Sequence, residues 1–347
     1  MSAFWRDVSD PSRPPVFLPD IGTFFNRDLD LAAQLLHKVA GSGARYIKGE
    51  ILHDPEICLP TDTAERYLGN DAKPREENYR ALIERKTVGL DAYRELFAPC
   101  RDLGLGLVLS VYDGAGAEFA AEIGAQAIKI ASTNVVHAPL IRQCAGLGVP
   151  LIIDTGKATL AEAQRAVEWA FKAGASELVV EYSPPAPPAP LEKHNLRILR
   201  DLNKLFGLPI GLSDHHHGDE MLFAASALGC RVLEKGVCDN SPNSDQDVYH
   251  ALNVDRLPDV LDQCHNIHAA LGEANAAYAP PPERPAARMG VVALKNLQPG
   301  DVLNLDNVRF AFPTLGIPVE EWDRIAGAKV VQSVAADNPV EWQHVRC

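Results

Sequence analysis

Eight short apolar runs, each ending in polar or charged residues, constrain this chain more than any other feature. They occupy residues 16–20, 44–48, 107–110, 127–132, 151–154, 178–183, 210–215 and 231–235. Seven are followed by a helical pattern before the next run begins, and the eighth leads into a last helix after a loop. Strand-length apolar runs alternating with helices describe parallel strands, and eight such units describe a (β/α)8 TIM barrel. In that fold the strand C-termini surround the active site, so the polar endings are an address for chemistry.

At 347 residues the chain exceeds one barrel of about 250 residues, so a second small domain is expected. The barrel is read over 1–274 and a proline-rich linker over 275–287. A small domain with short apolar runs at 289–294 and 302–303 is read over 288–347. A net charge of -13 argues against nucleic acid as a partner. No apolar run approaches the roughly 20 residues needed to cross a bilayer. The first residues show no basic segment followed by an apolar core, and seven scattered cysteines form no CxxC pair. Both features predict a cytoplasmic protein with reduced thiols. A long charged insertion at about 52–87 follows the second run. It is expected to cover the barrel mouth, as long insertions at strand ends commonly do.

Three lysines end or interrupt otherwise apolar strands: Lys48, Lys129 and Lys235. Ammonium groups gathered in a low-dielectric mouth would bind a carboxylate or phosphate. The seventh run ends in Ser213-Asp-His-His-His217. Successive histidines cannot all face one metal. His215 is expected to point inward with Asp214 free to orient it, and His216 is the alternative. Asp245 lies in the loop after the eighth run.

These endings resemble the sialic acid synthase family, which includes N-acetylneuraminate synthase and its legionaminate and pseudaminate relatives. Lys129-Ile-Ala-Ser132 resembles the family's K-I-x-S, and Asp154-Thr-Gly-Lys157 stands where the family has S-T-G-M. Ser213-Asp-His215 matches S-D-H, and Glu234-Lys235 matches the start of E-K-H. The C-terminal segment resembles the small antifreeze-like (SAF) domain, with Leu297-Gln-Pro-Gly-Asp301 at its turn. The resemblance implies condensation of phosphoenolpyruvate with an aldose or amino sugar to a 2-keto sugar acid. It implies a divalent metal, Mn²⁺ or Mg²⁺, and a homodimer with exchanged C-terminal domains.

Carried over by position, Lys48, Ser110, Lys129, Ser132 and Ser213 would hold phosphate and carboxylate, and Asp245 would contact the sugar. His215 would bind the metal, with Asp154 or His216 as a second ligand. Asp214, Glu234 and Lys235 join His215 as catalytic positions, while Asn134, Asp154, Lys157 and Ser183 complete the substrate site. The chain also departs from the pattern. The metal-binding His of E-K-H is Gly236, and the His of a following G-P-D-H is Gln246. An Asn after the sixth strand is Pro184, a Glu after the fourth is Asn134, and a capping Arg is Phe312. Asp154 would repel a phosphate dianion, with Lys157 a partial counter-charge. The departures admit two alternatives: the same scaffold acting on another carbonyl or enol substrate, or a non-catalytic homologue.

Overall fold

The structure, a computed structural model, describes residues 2–185, 189–239, 247–272 and 283–347. Two compact units divide it, Met1–Gly272 and Glu273–Cys347.

The first unit is a closed (β/α)8 barrel. Its strands are β1 (Val16–Asp20), β2 (Tyr46–Ile51), β3 (Gly106–Val111), β4 (Ala127–Ile130), β5 (Leu151–Asp154), β6 (Leu178–Tyr182), β7 (Ile210–Asp214) and β8 (Val232–Cys238). They pair in parallel in chain order, and β8 closes on β1 with Val232 opposite Val16 and Gly236 opposite Asp20. A two-residue strand, Leu252–Asn253, extends the upper end of β8. Local chemistry accounts for the helices. Leu160–Lys172 begins with a capping box, Glu162 accepting from the Thr159 amide at 2.8 Å. Leu29–Gly41 begins where Asp28 accepts from the Leu31 amide.

The period of two sorts every strand into an outer and an inner face. Outward residues, among them Ile47, Leu109, Ile128, Ile153, Val180, Leu212, Leu233 and Val237, pack with the helices in one large core. Inward residues Val16, Leu18, Tyr46, Val108, Ala127, Ile152, Val179 and Val232 fill the lower barrel. The helix Ala3–Ser9, which the sequence pattern did not reveal, plugs that lower end with Phe4 and Val8. Its Asp7 receives the Tyr46 hydroxyl at 2.6 Å and pairs with Arg13 and Arg45.

The insertion after β2 is ordered. It contains a hairpin, Ala64–Leu68 against Pro74–Asn78, and a helix, Tyr79–Lys86. The second unit folds around its own core of Val291, Leu297, Leu303, Ile317, Val330 and Val340. Its strand pair β9 (Gly290–Ala293) and β10 (Val308–Ala311) is antiparallel. The linker expected over 275–287 lies largely outside the described residues. Among the described residues no helix is long and apolar enough to cross a membrane.

Candidate active site

A cavity of about 530 Å³ opens at the strand C-termini. Upper inward side chains form its floor: Asp20 of β1, Lys48 and Glu50 of β2, Ser110 of β3, Lys129 of β4, Asp154 of β5, Ser213 of β7 and Glu234 of β8. Ser132 and Asn134 after β4, His215 after β7, and His250 after β8 form its wall. The insertion contributes Leu52, Ile57, Tyr79, Ile83 and Lys86 to the same cavity.

Two lysines meet at one carboxylate. Lys129 Nζ lies 2.6 Å from Glu234 Oε1, and Lys48 Nζ lies 3.6 Å from the same atom. Lys48 also pairs with Asp20 at 2.5 Å and with Glu50 at 3.5 Å. Lys129 further contacts Asp154 at 3.1 Å and Glu181 at 2.6 Å. Neither Glu181 oxygen meets hydrogen-bond geometry, so its contact with Lys129 is Coulombic rather than directed. Ser213 donates to Glu234 at 2.9 Å. Ser183, buried behind Asp154, donates to both of its oxygens at 2.8 Å, and the Gly156 amide donates to Oδ1.

Five inward carboxylates thus surround two ammonium groups, which shapes their titration. Burial raises Asp20 to about 6 against the pull of Lys48. Burial and then the Glu234 charge raise Glu181 to about 8. Glu234 is also penalised by burial, but Lys129 and Lys48 outweigh this and bring it down to about 2. Burial alone would lower Lys129, yet Glu181, Glu234 and Asp154 raise it well above the usual lysine range. At neutral pH the floor therefore holds charged Lys48, Lys129 and Glu234, with a protonated Glu181 behind them.

Several sequence expectations are corrected by the geometry. Lys235 is not in the mouth. It shares strand parity with Leu233 and Val237, which face the helices. Its Nζ donates to Asp214 at 2.7 Å, to the Gly218 carbonyl at 3.0 Å and to the His216 carbonyl. The ring of three lysines is a pair, and Lys235 ties down the β7 loop. Asp214 has the same outward parity. Its carboxylate serves Lys235 and the His216 amide and is not free to orient His215. Lys157 is exposed and absent from the cavity wall, so the counter-charge beside Asp154 is Lys129. Asp154 itself is engaged by Lys129, Ser183 and Gly156, which leaves it a poor metal ligand. His216 faces Glu220 and His194, and His217 stacks on Tyr249, so neither lines the cavity. At the end of β8, burial raises the Cys238 thiol to about 11, so it stays protonated at neutral pH. Asp245 and Gln246 lie outside the described residues.

Sequence reasoning missed Asp20, Glu50, Glu181, Tyr112 and His250. Tyr112 donates to Glu50 at 2.8 Å. For Glu50 and Glu181 a signal existed: each is a charged residue at the inward parity of a buried strand. For His250 no local signal existed. A Cβ on Gly236 would lie 2.9 Å from the Phe24 ring, which fills the space of a strand-eight side chain there. Among the described residues no group of three His, Cys, Asp or Glu side chains is arranged to hold a metal ion.

Comparison with known proteins places this geometry. The NeuB family model matches residues 35–276, and the SAF domain model matches residues 288–346. The pseudaminic acid synthase of Helicobacter pylori is 25% identical over 94% of this chain and 97% of its own length. The N,N'-diacetyllegionaminic acid synthase of Campylobacter jejuni is 24% identical over 93% of this chain and 97% of its own. Among solved structures, the N-acetylneuraminic acid synthetase of Leptospira borgpetersenii in complex with citrate superposes with a TM-score of 0.68. That match has 21% identity and covers 78% of this chain and 89% of that one.

Proposed function

The chain belongs to the NeuB family, and on that premise we propose that it is a carbon–carbon bond-forming synthase that joins phosphoenolpyruvate to an aldose or amino sugar. Carbon 3 of the enol attacks the aldehyde carbon, whose oxygen takes a proton. Water adds at carbon 2, and the carbon 2–oxygen bond to phosphate breaks. The products are inorganic phosphate and a 2-keto sugar acid.

One observation carries the reading: Lys48 and Lys129 converge on Glu234 at the barrel mouth. Two ammonium groups so close, bordered by the Ser110, Ser132 and Ser213 hydroxyls, suit a small dianion with a second acidic group. Ser110 Oγ is buried without a partner, as a hydroxyl reserved for a ligand would be. Asp20, in the cavity floor with a pKa raised to about 6, is the group best placed to exchange a proton with the aldehyde oxygen or the water. The acceptor's identity and the homodimer with exchanged C-terminal units are parts of the same proposal.

The decisive experiment incubates the protein with phosphoenolpyruvate, Mn²⁺ and a panel of amino sugars and aldoses, and measures phosphate and 2-keto acid. Turnover with no sugar in the panel sinks the reading. Sedimentation should give twice the 37.6 kDa chain mass.

A second reading rests on the carboxylate excess. Even with Glu181 protonated, Asp20, Glu50, Asp154 and Glu234 outnumber Lys48 and Lys129, so the floor disfavours a trianionic ligand unless protons or a cation enter with it. This favours a carbonyl or enol substrate of lower charge on the same scaffold. Calorimetry separates the two: a keto acid lacking phosphate that binds where phosphoenolpyruvate does not would select the second reading.

A further inference from the structure

Each floor lysine is already shared by three carboxylates. Lys48 lies within 3.6 Å of Asp20, Glu50 and Glu234, and Lys129 within 3.1 Å of Asp154, Glu181 and Glu234. An anion that recruits both ammonium groups leaves those carboxylates short of counter-charge. Among the described residues, seven carboxylate side chains and three lysines line the cavity, so its walls hold too few cations to take over. Two buried atoms show what is lacking. Glu234, 4% exposed, accepts from Lys129 and Ser213 through Oε1, while its Oε2 has no partner in the protein. Burial opposes its ionisation, but Lys129 and Lys48 outweigh this, so it is charged at neutral pH. A charged oxygen calls for a donor, and a fully ionised phosphate ester has none to give. Ser110 Oγ, also buried and unpartnered, lies on the strand position opposite Glu50.

We infer that the second substrate is cationic: an amino sugar whose nitrogen is an unacylated ammonium group, held against the Glu50 and Glu234 carboxylates at the cavity floor.

Glu50 is the carboxylate such a group would meet first. Its side chain is 23% exposed, whereas those of Asp20 and Glu234 are 9% and 6% exposed. The Tyr112 hydroxyl donates to Oε2 at 2.8 Å and fixes the carboxylate's direction, and Oε1 stands 3.5 Å from Lys48. Glu50 Oε1 and Glu234 Oε1 both lie beside Lys48 Nζ, so they are at most about 7 Å apart, and one nitrogen within about 4 Å of each can serve both. A sugar hydroxyl would satisfy a donor requirement but not the charge. An acylated nitrogen would lose the charge altogether. With an ammonium, the two substrates divide the floor: the anion takes the lysines and the ammonium takes the carboxylates they release. Each substrate should then tighten the other's binding, since such coupling is reciprocal.

The inference rests on the synthase reading and narrows its acceptor. Its test measures binding, so its failure is distinguishable from a failure of that reading. Full-length protein is titrated by calorimetry with glucosamine, mannosamine and galactosamine, with their N-acetyl forms and with the parent hexoses. Each titration is run with and without phosphoenolpyruvate, and with either Mn²⁺ or a chelator. At least one free amine should bind about tenfold or more tighter than both its N-acetyl form and its parent hexose. The preference should persist with Mn²⁺ and widen with phosphoenolpyruvate. Glu50→Gln, which can still accept from Tyr112, should cut it to about threefold or less. Circular dichroism checks the fold of the variant, and if it does not fold, the panel on the unaltered protein decides. Equal or tighter binding of the N-acetyl forms, or an unchanged preference in folded Glu50→Gln, would overturn the inference. A preference abolished by Mn²⁺ would assign the place to a metal ion and overturn it too. A preference for the amine without turnover would support it while sinking the synthase reading, and turnover confined to N-acetyl sugars would do the reverse.

Discussion

The two ends of the barrel interior are built from the same eight strands yet obey different rules. At the closed end Phe4 and Val8 fill the space between inward Val, Leu, Ile and Ala side chains. The buried carboxylate there, Asp7, has three partners in Tyr46, Arg13 and Arg45. At the open end five carboxylates crowd two lysines, and Ser110 Oγ, Glu234 Oε2 and both His250 nitrogens lack hydrogen-bond partners. A polar group buried without a partner costs stability, so natural interiors keep few of them. Their concentration at one end marks where a ligand completes the structure. At the closed end apolar side chains and the fully paired Asp7 leave less to complete, although Gln126 Oε1, one residue before β4, is also buried without a partner.

Replacement at each end should break this symmetry differently. Phe4→Ala at the closed end removes a fully buried ring and should cost about 4 kcal/mol in denaturant unfolding. Ligand affinity of the folded fraction should not change. A loss of affinity matching the loss of stability would mean that the ends are coupled.

Lys129→Met should cost about 3 kcal/mol, because it strands Glu181, Glu234 and Asp154 without their shared cation. It should also abolish phosphoenolpyruvate binding in calorimetry. Lys235→Met makes the contrast: Lys235 is equally buried but faces outward, so it should lower stability with only an indirect effect on affinity. Equal loss of affinity in both variants would contradict the inward and outward assignment.

Titration sharpens the comparison further. Glu181 is raised to about 8, so it is neutral below that pH and adds a negative charge beside Lys129 above it. Anion affinity should therefore fall about tenfold between about pH 7 and pH 9, a change of about 1.4 kcal/mol, above the range in which Asp20, raised to about 6, ionises. Glu181→Gln should flatten the profile. The same raised value has a stability consequence of fixed sign. Glu181's contribution is full below its unfolded value of about 4.3 and is lost as pH rises through about 8. A profile unchanged by Glu181→Gln would show that another group governs it.

The smallest effect belongs to Ser110→Ala. Removing an unpartnered hydroxyl should change stability by less than about 1 kcal/mol, in either direction. On the proposed reading the hydroxyl's partner is the ligand, so phosphoenolpyruvate affinity should still fall about tenfold. Unchanged affinity would place the anion elsewhere in the cavity.

Much of this fold is legible in the amino-acid sequence alone. Alternating strand and helix patterns, the Thr159 cap and the polar strand ends are local in sequence, and they define the barrel and its mouth. Lys48, Lys129, Ser110, Ser213 and His215 stand out because they sit at those ends. The misplacement of Lys235 is avoidable: its parity with Leu233 and Val237 assigns it to the outer face, whatever its charge. Other features have no local signature. The plug helix Ala3–Ser9 is too short for periodicity to show. The Lys129–Glu234 contact joins residues 105 apart in the chain. The approach of His250 to His215 depends on a loop beyond β8 and on Phe24 filling the space above Gly236.

The sequence by itself determined the eight strand–helix units and the parity of each strand, because backbone period and capping act over a few residues. It also determined that lysines and serines would stand at the C-terminal ends. Barrel closure decided which charges meet. Only when β8 pairs with β1 do charged side chains from six strands share one low-dielectric space. There the titration of Asp20, Glu181 and Glu234 is set by burial and by partners far away in the chain.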